Sequence, residues 1–181
     1  MVHAIRIHET GGPEVLSWDE VNVGAPSEGE ILVRHTAIGL NYIDTYLRAG
    51  VRPLPMPSVL GLEAAGVVEE VGEGVTHLSV GDRIGYADMP AGAYSESRVM
   101  PANIAVKLPD GVNDQVAAAS MLKGMTTQFL IRQTFRVEPG MTVLLHAAAG
   151  GVGLIASQWL NHLGATVIGT VGSKEKADLA K

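Results

Sequence analysis

The sequence predicts an α/β chain in two parts: a β-rich segment over 1–122, then the opening of a parallel-sheet domain over 123–181. Three observations carry this. Short β-branched runs separated by glycine turns fill residues 1–107. An apolar run, Met141 to Ala147, enters a glycine turn that opens onto helical spacing. A second apolar run, Ala165 to Val171, follows, so strand, turn, helix and strand form one βαβ unit of about 30 residues.

Taken in order, strands are expected at Ala4 to His8, Glu30 to Ala37, Gly66 to Val71, Arg83 to Tyr86 and Ser95 to Met100. Turns between them fall at Gly11-Gly12-Pro13, Gly72-Glu73-Gly74, Gly81-Asp82 and Ala91-Gly92. Helical spacing appears at Asn113 to Ser120 and again at Lys123 to Arg136, the second ending before Pro139. Met141 to Ala147 then reads as a strand buried on both faces. Val152, Ile155, Ala156, Trp159, Leu160 and Leu163 recur at helical spacing until Gly164 supplies a stop.

The turn between that strand and helix fits the pattern G-x-G-x-x-G with Ala148 in the first glycine's place and Gly150 and Gly153 in the others. Gly150 lets a pyrophosphate approach the backbone, Gly153 lets the helix pack close to the strand, and the helix N-terminus offers free N–H groups. Gly150, Gly151 and Val152 are the expected contacts. A glycine turn alone also serves where nothing binds; the flanking strand and helix favour a dinucleotide here. At the end of the second strand stand Thr170, Val171, Gly172, Ser173, Lys174, Glu175 and Lys176, with no acid where a ribose 2′-OH needs one. Gly172, Ser173 and Lys176 suit a 2′-phosphate better, which points to NADPH over NADH. The alternative is that Lys174 and Lys176 are solvated helix charges. Ser173 also reads as the N-cap of a last helix that the sequence only begins, and two strands leave sheet edges unpaired. A longer polypeptide is therefore expected.

Of the 181 residues, 46% are hydrophobic, and the net charge is −6. Lys and Arg are scattered singly, against the basic clusters of a nucleic-acid groove. Residues 139–173 carry no charged side chain, but Pro139-Gly140, the glycines of the turn, Gln158, Asn161 and His162 keep every apolar run below the roughly 18 to 20 residues a membrane span needs. With no cysteine and no long apolar leader, a soluble cytoplasmic protein is expected. The histidines, at 3, 8, 35, 77, 146 and 162, show no ligand spacing, so a metal-free protein is expected.

Five segments taken together resemble the medium-chain dehydrogenase/reductase superfamily. They are Gly11-Gly12-Pro13-Glu14-Val15-Leu16, Asn41-Tyr42-Ile43-Asp44-Thr45-Tyr46, Gly61-Leu62-Glu63-Ala64-Ala65-Gly66, Gly81-Asp82-Arg83 and Ala147 to Gly153. More narrowly, the chain is similar to the zinc-free NADPH:quinone oxidoreductases, the group that includes zeta-crystallin. Zinc-dependent relatives carry a Cys near the Asn41 segment and a His before the acid of Gly61-Leu62-Glu63; this chain has no Cys, and Leu62 in the latter place.

The resemblance implies a GroES-like β domain followed by a Rossmann domain, NADPH as cofactor, a small quinone as acceptor, and a homodimer. It implies that the segment of Asn41, Tyr42 and Tyr46 faces nicotinamide and substrate, with Tyr46 donating to the quinone oxygen and Asn41 donating an amide N–H. An apolar face packing on the β domain is the alternative for both tyrosines. Lys123, Thr126 and Phe129 fall at the family's helix start beside the nicotinamide, with Lys123 equally suited to be a structural charge. Glu63 and Asp44 are not assigned catalytic roles. Two other readings remain open: an enal or enone reductase using the same cofactor, and a non-catalytic role, crystallin-like or RNA-binding, against which the acidic charge counts.

Overall fold

A computed structural model describes all residues, 1–181, and divides them into two compact units, Met1–Met121 and Leu122–Lys181.

In the first unit, β1 (Val2–Ile7), β2 (Ser17–Val21), β3 (Glu30–Gly39), α1 (Tyr42–Arg48), β4 (Ser58–Val59), β5 (Glu63–Val71), β6 (Arg83–Ala87), β7 (Ser97–Pro101) and β8 (Val106–Lys107) follow in chain order. The strands form two antiparallel sheets, one ordered β2-β1-β4 and one ordered β7-β3-β5-β6-β8. Ile31, Val33, Val68, Ile84, Tyr86 and Met100 make the centre of the core, all essentially inaccessible to solvent. The pairing of β3 with β5 has two register irregularities; the second, between His35 and Ala37, leaves Thr36 out of the ladder and bends the strand's end. Beyond the bend, Gly39 pairs with Glu63 of β5.

Gly39 is fixed by space. A Cβ there would run into the carbonyl oxygen of Ala118 and the Glu63 carboxylate. Its bare backbone lets a helix, α2 (Asp114–Gln128), lie directly against the strand end. Asp114, at the start of α2, accepts hydrogen bonds from Arg83 Nε at 3.0 Å and Nη2 at 2.6 Å. Thr36, the residue left out of the ladder, also donates to Asp114, and this bond above all, with Arg83 next, holds the carboxyl below its ordinary range.

The sequence led us to expect two helices over 113–136. They are one, because Gly124 in mid-helix meets no packing conflict and a lone glycine costs only about 1 kcal/mol. The chain leaves α2 through a π-helical segment, Phe129–Thr134. Strands β2, β4 and β8 and helix α1 were absent from the expected elements. β4 and β8 have two residues each, too few for a period, and α1 has only seven.

In the second unit, β9 (Thr142–Leu145), α3 (Gly151–His162), β10 (Thr166–Gly169) and α4 (Lys174–Ala180) follow. β9 and β10 pair in parallel, Thr142 opposite Thr166 and Leu145 opposite Gly169. Ala156 and Leu160 of α3 pack on Val143, Leu145 and Val167. Gly164, in the left-handed region at φ 79°, ends α3, and the Ala165 N–H returns to the Leu160 carbonyl at 3.1 Å. The expectation of a strand buried on both faces needs correction. α3 covers one face only, and Leu144 and Ile168 on the other are 59% and 54% exposed.

Candidate functional site

The candidate residues fall into two groups, one in each unit. In the first, Asn41 begins α1 with extended backbone, φ −128° and ψ 151°, as an N-cap requires. Its N–H donates to Asp44 Oδ2 at 2.9 Å, the reciprocal half of a capping box, and its side-chain Nδ2 donates to Glu63 Oε2 at 2.7 Å. Tyr94 donates its phenol O–H to Asp44 Oδ2 at 2.7 Å. Burial, then that bond and the Asp44 charge, push the Tyr94 phenol well above its usual range, so it stays a donor. Asn41, Asp44 and Glu63 are all buried, Glu63 completely. A buried carboxylate demands donors, and the amide of Asn41 supplies one.

Neither carboxylate was given a role from sequence. Both act on Asn41, fixing its backbone and its side chain. Asp44 was legible, since Asn41-x-x-Asp44 is capping-box spacing. Glu63 had a weaker signal: an acid inside the apolar run Leu62 to Ala65. From α1, Tyr42 and Tyr46 stand out into solvent, 73% and 43% exposed, their rings 5.2 Å apart and edge to face at 88°. They are not core residues within this unit.

In the second unit, the turn between β9 and α3 is built from backbone. Gly150 caps α3 without any side-chain hydrogen bond, and no acid sits in the first turn. The first intrahelical bond runs from Leu154 N–H to the Gly150 carbonyl at 2.8 Å, which leaves the N–H groups of Gly151, Val152 and Gly153 without helix acceptors. These three donors point out of the helix end together with its positive dipole.

The shape of the turn depends on two residues. Ala147 takes the left-handed region at φ 54°, the only non-glycine residue to do so, at a cost of roughly 1–2 kcal/mol. Ala148, in the place of the first glycine, keeps a negative φ; the left-handed position lies one residue earlier. Gly153 is required by contact, since a Cβ would come within 2.6 Å of the Ala148 carbonyl oxygen and also meet that of Ala147. Here a glycine serves close helix-to-turn packing, as the spacing predicts.

Gly151 proves to have a packing reason of its own. Its missing Cβ would lie 2.8 Å from Cδ of Lys123, so the lysine stem crosses the helix start there. Thr126 donates its hydroxyl hydrogen to the Leu122 carbonyl at 2.7 Å, keeping only its lone pairs for a ligand. Phe129 is half-exposed at the start of the π-helical segment. At the far strand, Gly172 is open on all sides, and Ser173 caps α4 by accepting the Lys176 N–H at 3.3 Å. Its hydroxyl hydrogen is not used in that bond. Lys176 is exposed and forms no ion pair. Two neighbours went unnoticed in sequence: His146 Nδ1 lies 2.9 Å from Thr170 Oγ1, and the Thr170 carbonyl accepts the Ala148 N–H at 3.1 Å, tying the strand ends to the turn.

No group of three or more His, Asp or Glu side chains is arranged to hold a metal ion. No helix is long and apolar enough to cross a membrane.

Residues 27–110 match the alcohol dehydrogenase GroES-like domain. A glycine turn opening a helix between two parallel strands follows it in the chain. The chain thus has the build of the medium-chain dehydrogenase/reductase superfamily, a GroES-like domain followed by the start of a Rossmann domain. Within that superfamily it is similar to the quinone oxidoreductases. It is 53% identical to a quinone oxidoreductase of Pseudomonas aeruginosa, over 100% of this chain and 56% of that one. A 2-haloacrylate reductase of a Burkholderia species is 52% identical with the same coverage. The crystal structure of Escherichia coli quinone oxidoreductase complexed with NADPH superimposes with a TM-score of 0.96 at 50% identity, over 98% of this chain and 55% of that one. The chain spans about half the length of these relatives.

Proposed function

We propose that the protein is an NADPH-dependent quinone reductase that uses no zinc. The observation that carries this is the start of α3, where three neighbouring N–H groups lack helix acceptors behind a turn whose Gly153 admits no Cβ. A pyrophosphate fits that cradle through Gly150, Gly151 and Val152. Ser173, with its free hydroxyl hydrogen, Gly172 and the unpaired Lys176 suit the ribose 2′-phosphate. The relative from Escherichia coli whose structure contains NADPH supports the same choice.

NADPH, when bound, supplies the hydride; the protein supplies alignment and charge stabilisation. As one acceptor oxygen gains negative charge, the exposed phenol of Tyr46 donates to it. Asn41 offers its amide to acceptor or ribose from a position set by Glu63 and Asp44, which makes these two carboxylates positioning residues. Thr126 meets the nicotinamide carboxamide as an acceptor, since its hydrogen is engaged by Leu122. Lys123 and Phe129 border the same ring. The two domains divide near residue 122, and the working protein is a cytoplasmic homodimer.

A second reading has one observation in its favour. The relative named 2-haloacrylate reductase is as similar as the quinone oxidoreductases, so reduction of an activated carbon–carbon double bond by the same cofactor is the alternative. Stopped-flow absorbance of NADPH, with a panel of quinones, enals and 2-haloacrylates and the full-length protein, separates the two. Fast oxidation by quinones supports the first reading, oxidation by the alkenes alone the second, and none with any acceptor overturns both.

A further inference from the structure

Two carboxylates hold Asn41, and the segments that carry both are tied to one further residue, Tyr94. The Tyr94 N–H donates to the Leu60 carbonyl at 2.8 Å, and its own carbonyl accepts the Ile5 N–H at 2.7 Å. Just before it, the N–H groups of Gly92 and Ala93 both donate to the Gly61 carbonyl, at 2.9 and 3.0 Å. Residues 92–94 are thereby sewn to the turn that runs directly into Glu63. Gly61 itself stands in the left-handed region at φ 89°, and a Cβ there would run into the Tyr94 ring. The ring rests on bare backbone.

From that fixed base the phenol reaches α1. Its O–H donates to Asp44 Oδ2 at 2.7 Å, the same oxygen that accepts the Asn41 N–H at 2.9 Å. The Asp44 N–H in turn donates to the Asn41 carbonyl at 3.0 Å, so the first turn of α1 closes around this carboxylate. A capping carboxylate serves only while it stays turned towards the N–H it accepts, and the phenol adds a charge-assisted bond that holds it so. With seven residues, α1 is too short to keep its shape in water by itself, and such tertiary bonds set its start.

We propose that Tyr94 is a positioning residue for the reaction: its phenol, acting through Asp44, sets the start of α1 and with it the aim of the Asn41 amide and the Tyr46 hydroxyl. This rests on the quinone-reductase reading above, in which Asn41 and Tyr46 meet the acceptor. Tyr94 itself need touch neither acceptor nor cofactor. Its effect therefore falls on turnover and not on cofactor affinity.

The test is Tyr94→Phe in the full-length protein, which keeps the ring on Gly61 and removes only the donor. It is read by stopped-flow NADPH oxidation with the quinone that the unaltered protein reduces fastest, by NADPH affinity from fluorescence, and by amide hydrogen exchange. The expected result is kcat lowered about tenfold with the Kd for NADPH unchanged. Exchange at the Asn41 and Asp44 N–H groups is expected about tenfold faster, while the core residues Ile31, Val33 and Val68 exchange as before. Adding Tyr94→Phe to Asp44→Asn lowers kcat no further, because both act through one side chain. Unchanged kcat, or unchanged exchange at Asn41 and Asp44, overturns the proposal. So does a variant that does not fold or that exchanges faster throughout the core, since the role of Tyr94 is then structural. No turnover by the unaltered protein overturns the quinone-reductase reading instead, and exchange at Asn41 and Asp44 still decides whether Tyr94 holds the start of α1.

Discussion

His35 offers a quantitative test of how the β-rich unit is held together. Its Nδ1 donates to the Ser95 carbonyl at 2.7 Å, so Nε2 is the acceptor of the Tyr86 O–H at 2.8 Å. The ring is thereby fixed in one neutral tautomer. Burial, with a smaller contribution from the Arg98 charge, lowers its pKa from 6.5 to about 4, against the opposing pull of the Ser95 carbonyl. A histidine lowered on folding binds its proton more readily in the unfolded chain. Its stabilising contribution is thus present above the unfolded value and lost as pH falls from about 6.5 towards 4. With those two values, linkage gives a loss of about 1.8 kcal/mol between pH 7 and pH 5, before most carboxylates titrate. The ring edge keeps some contact with solvent, so about 1–2 kcal/mol is the expected range. Urea unfolding at pH 7 and pH 5 measures the loss, and His35→Gln should remove most of it. An NMR titration placing the His35 pKa near 6.5, or an unchanged pH dependence in His35→Gln, would refute the reasoning.

Other consequences concern the proposed reaction. Gly153→Ala should cost about 1–3 kcal/mol in urea unfolding, because the new Cβ meets backbone oxygens that cannot swing aside; an unchanged midpoint contradicts the packing argument. Tyr46→Phe in the full-length protein should lower kcat by about 10²-fold with KM for NADPH unchanged, and near-normal turnover would remove the hydroxyl from the mechanism. Lys176→Ala should weaken NADPH about tenfold and leave NADH unaffected, and an unchanged ratio of the two affinities would remove Lys176 from cofactor selection.

Much of the candidate site could be read from sequence wherever a side chain's role is set by near neighbours. The turn from Ala147 to Gly153, the helix that ends at Gly164 and the cap at Ser173 all depend on contacts within a few residues, and spacing encodes these. What spacing does not encode is long-range pairing. Glu63 reaches Asn41 across 22 residues, and it does so because Gly39 and Glu63 are register partners at the end of a bent strand. Tyr94 reaches Asp44 across 50 residues. Arg98 looked like one scattered cation among thirteen Lys and Arg, and only the fold shows it buried beside Tyr86. The left-handed backbone of Ala147 was not legible for a related reason: the motif gives spacing, whereas φ follows from how Ala148 is tied to Thr170.

The central claim is that the uncapped start of α3 holds the pyrophosphate of NADPH. It is tested most directly by following the amide ¹H–¹⁵N resonances of Gly151, Val152 and Gly153 during an NADPH titration of the full-length protein. The account predicts large downfield shifts at all three, saturating at the affinity measured by fluorescence. Saturation of binding with these three amides unmoved would contradict it.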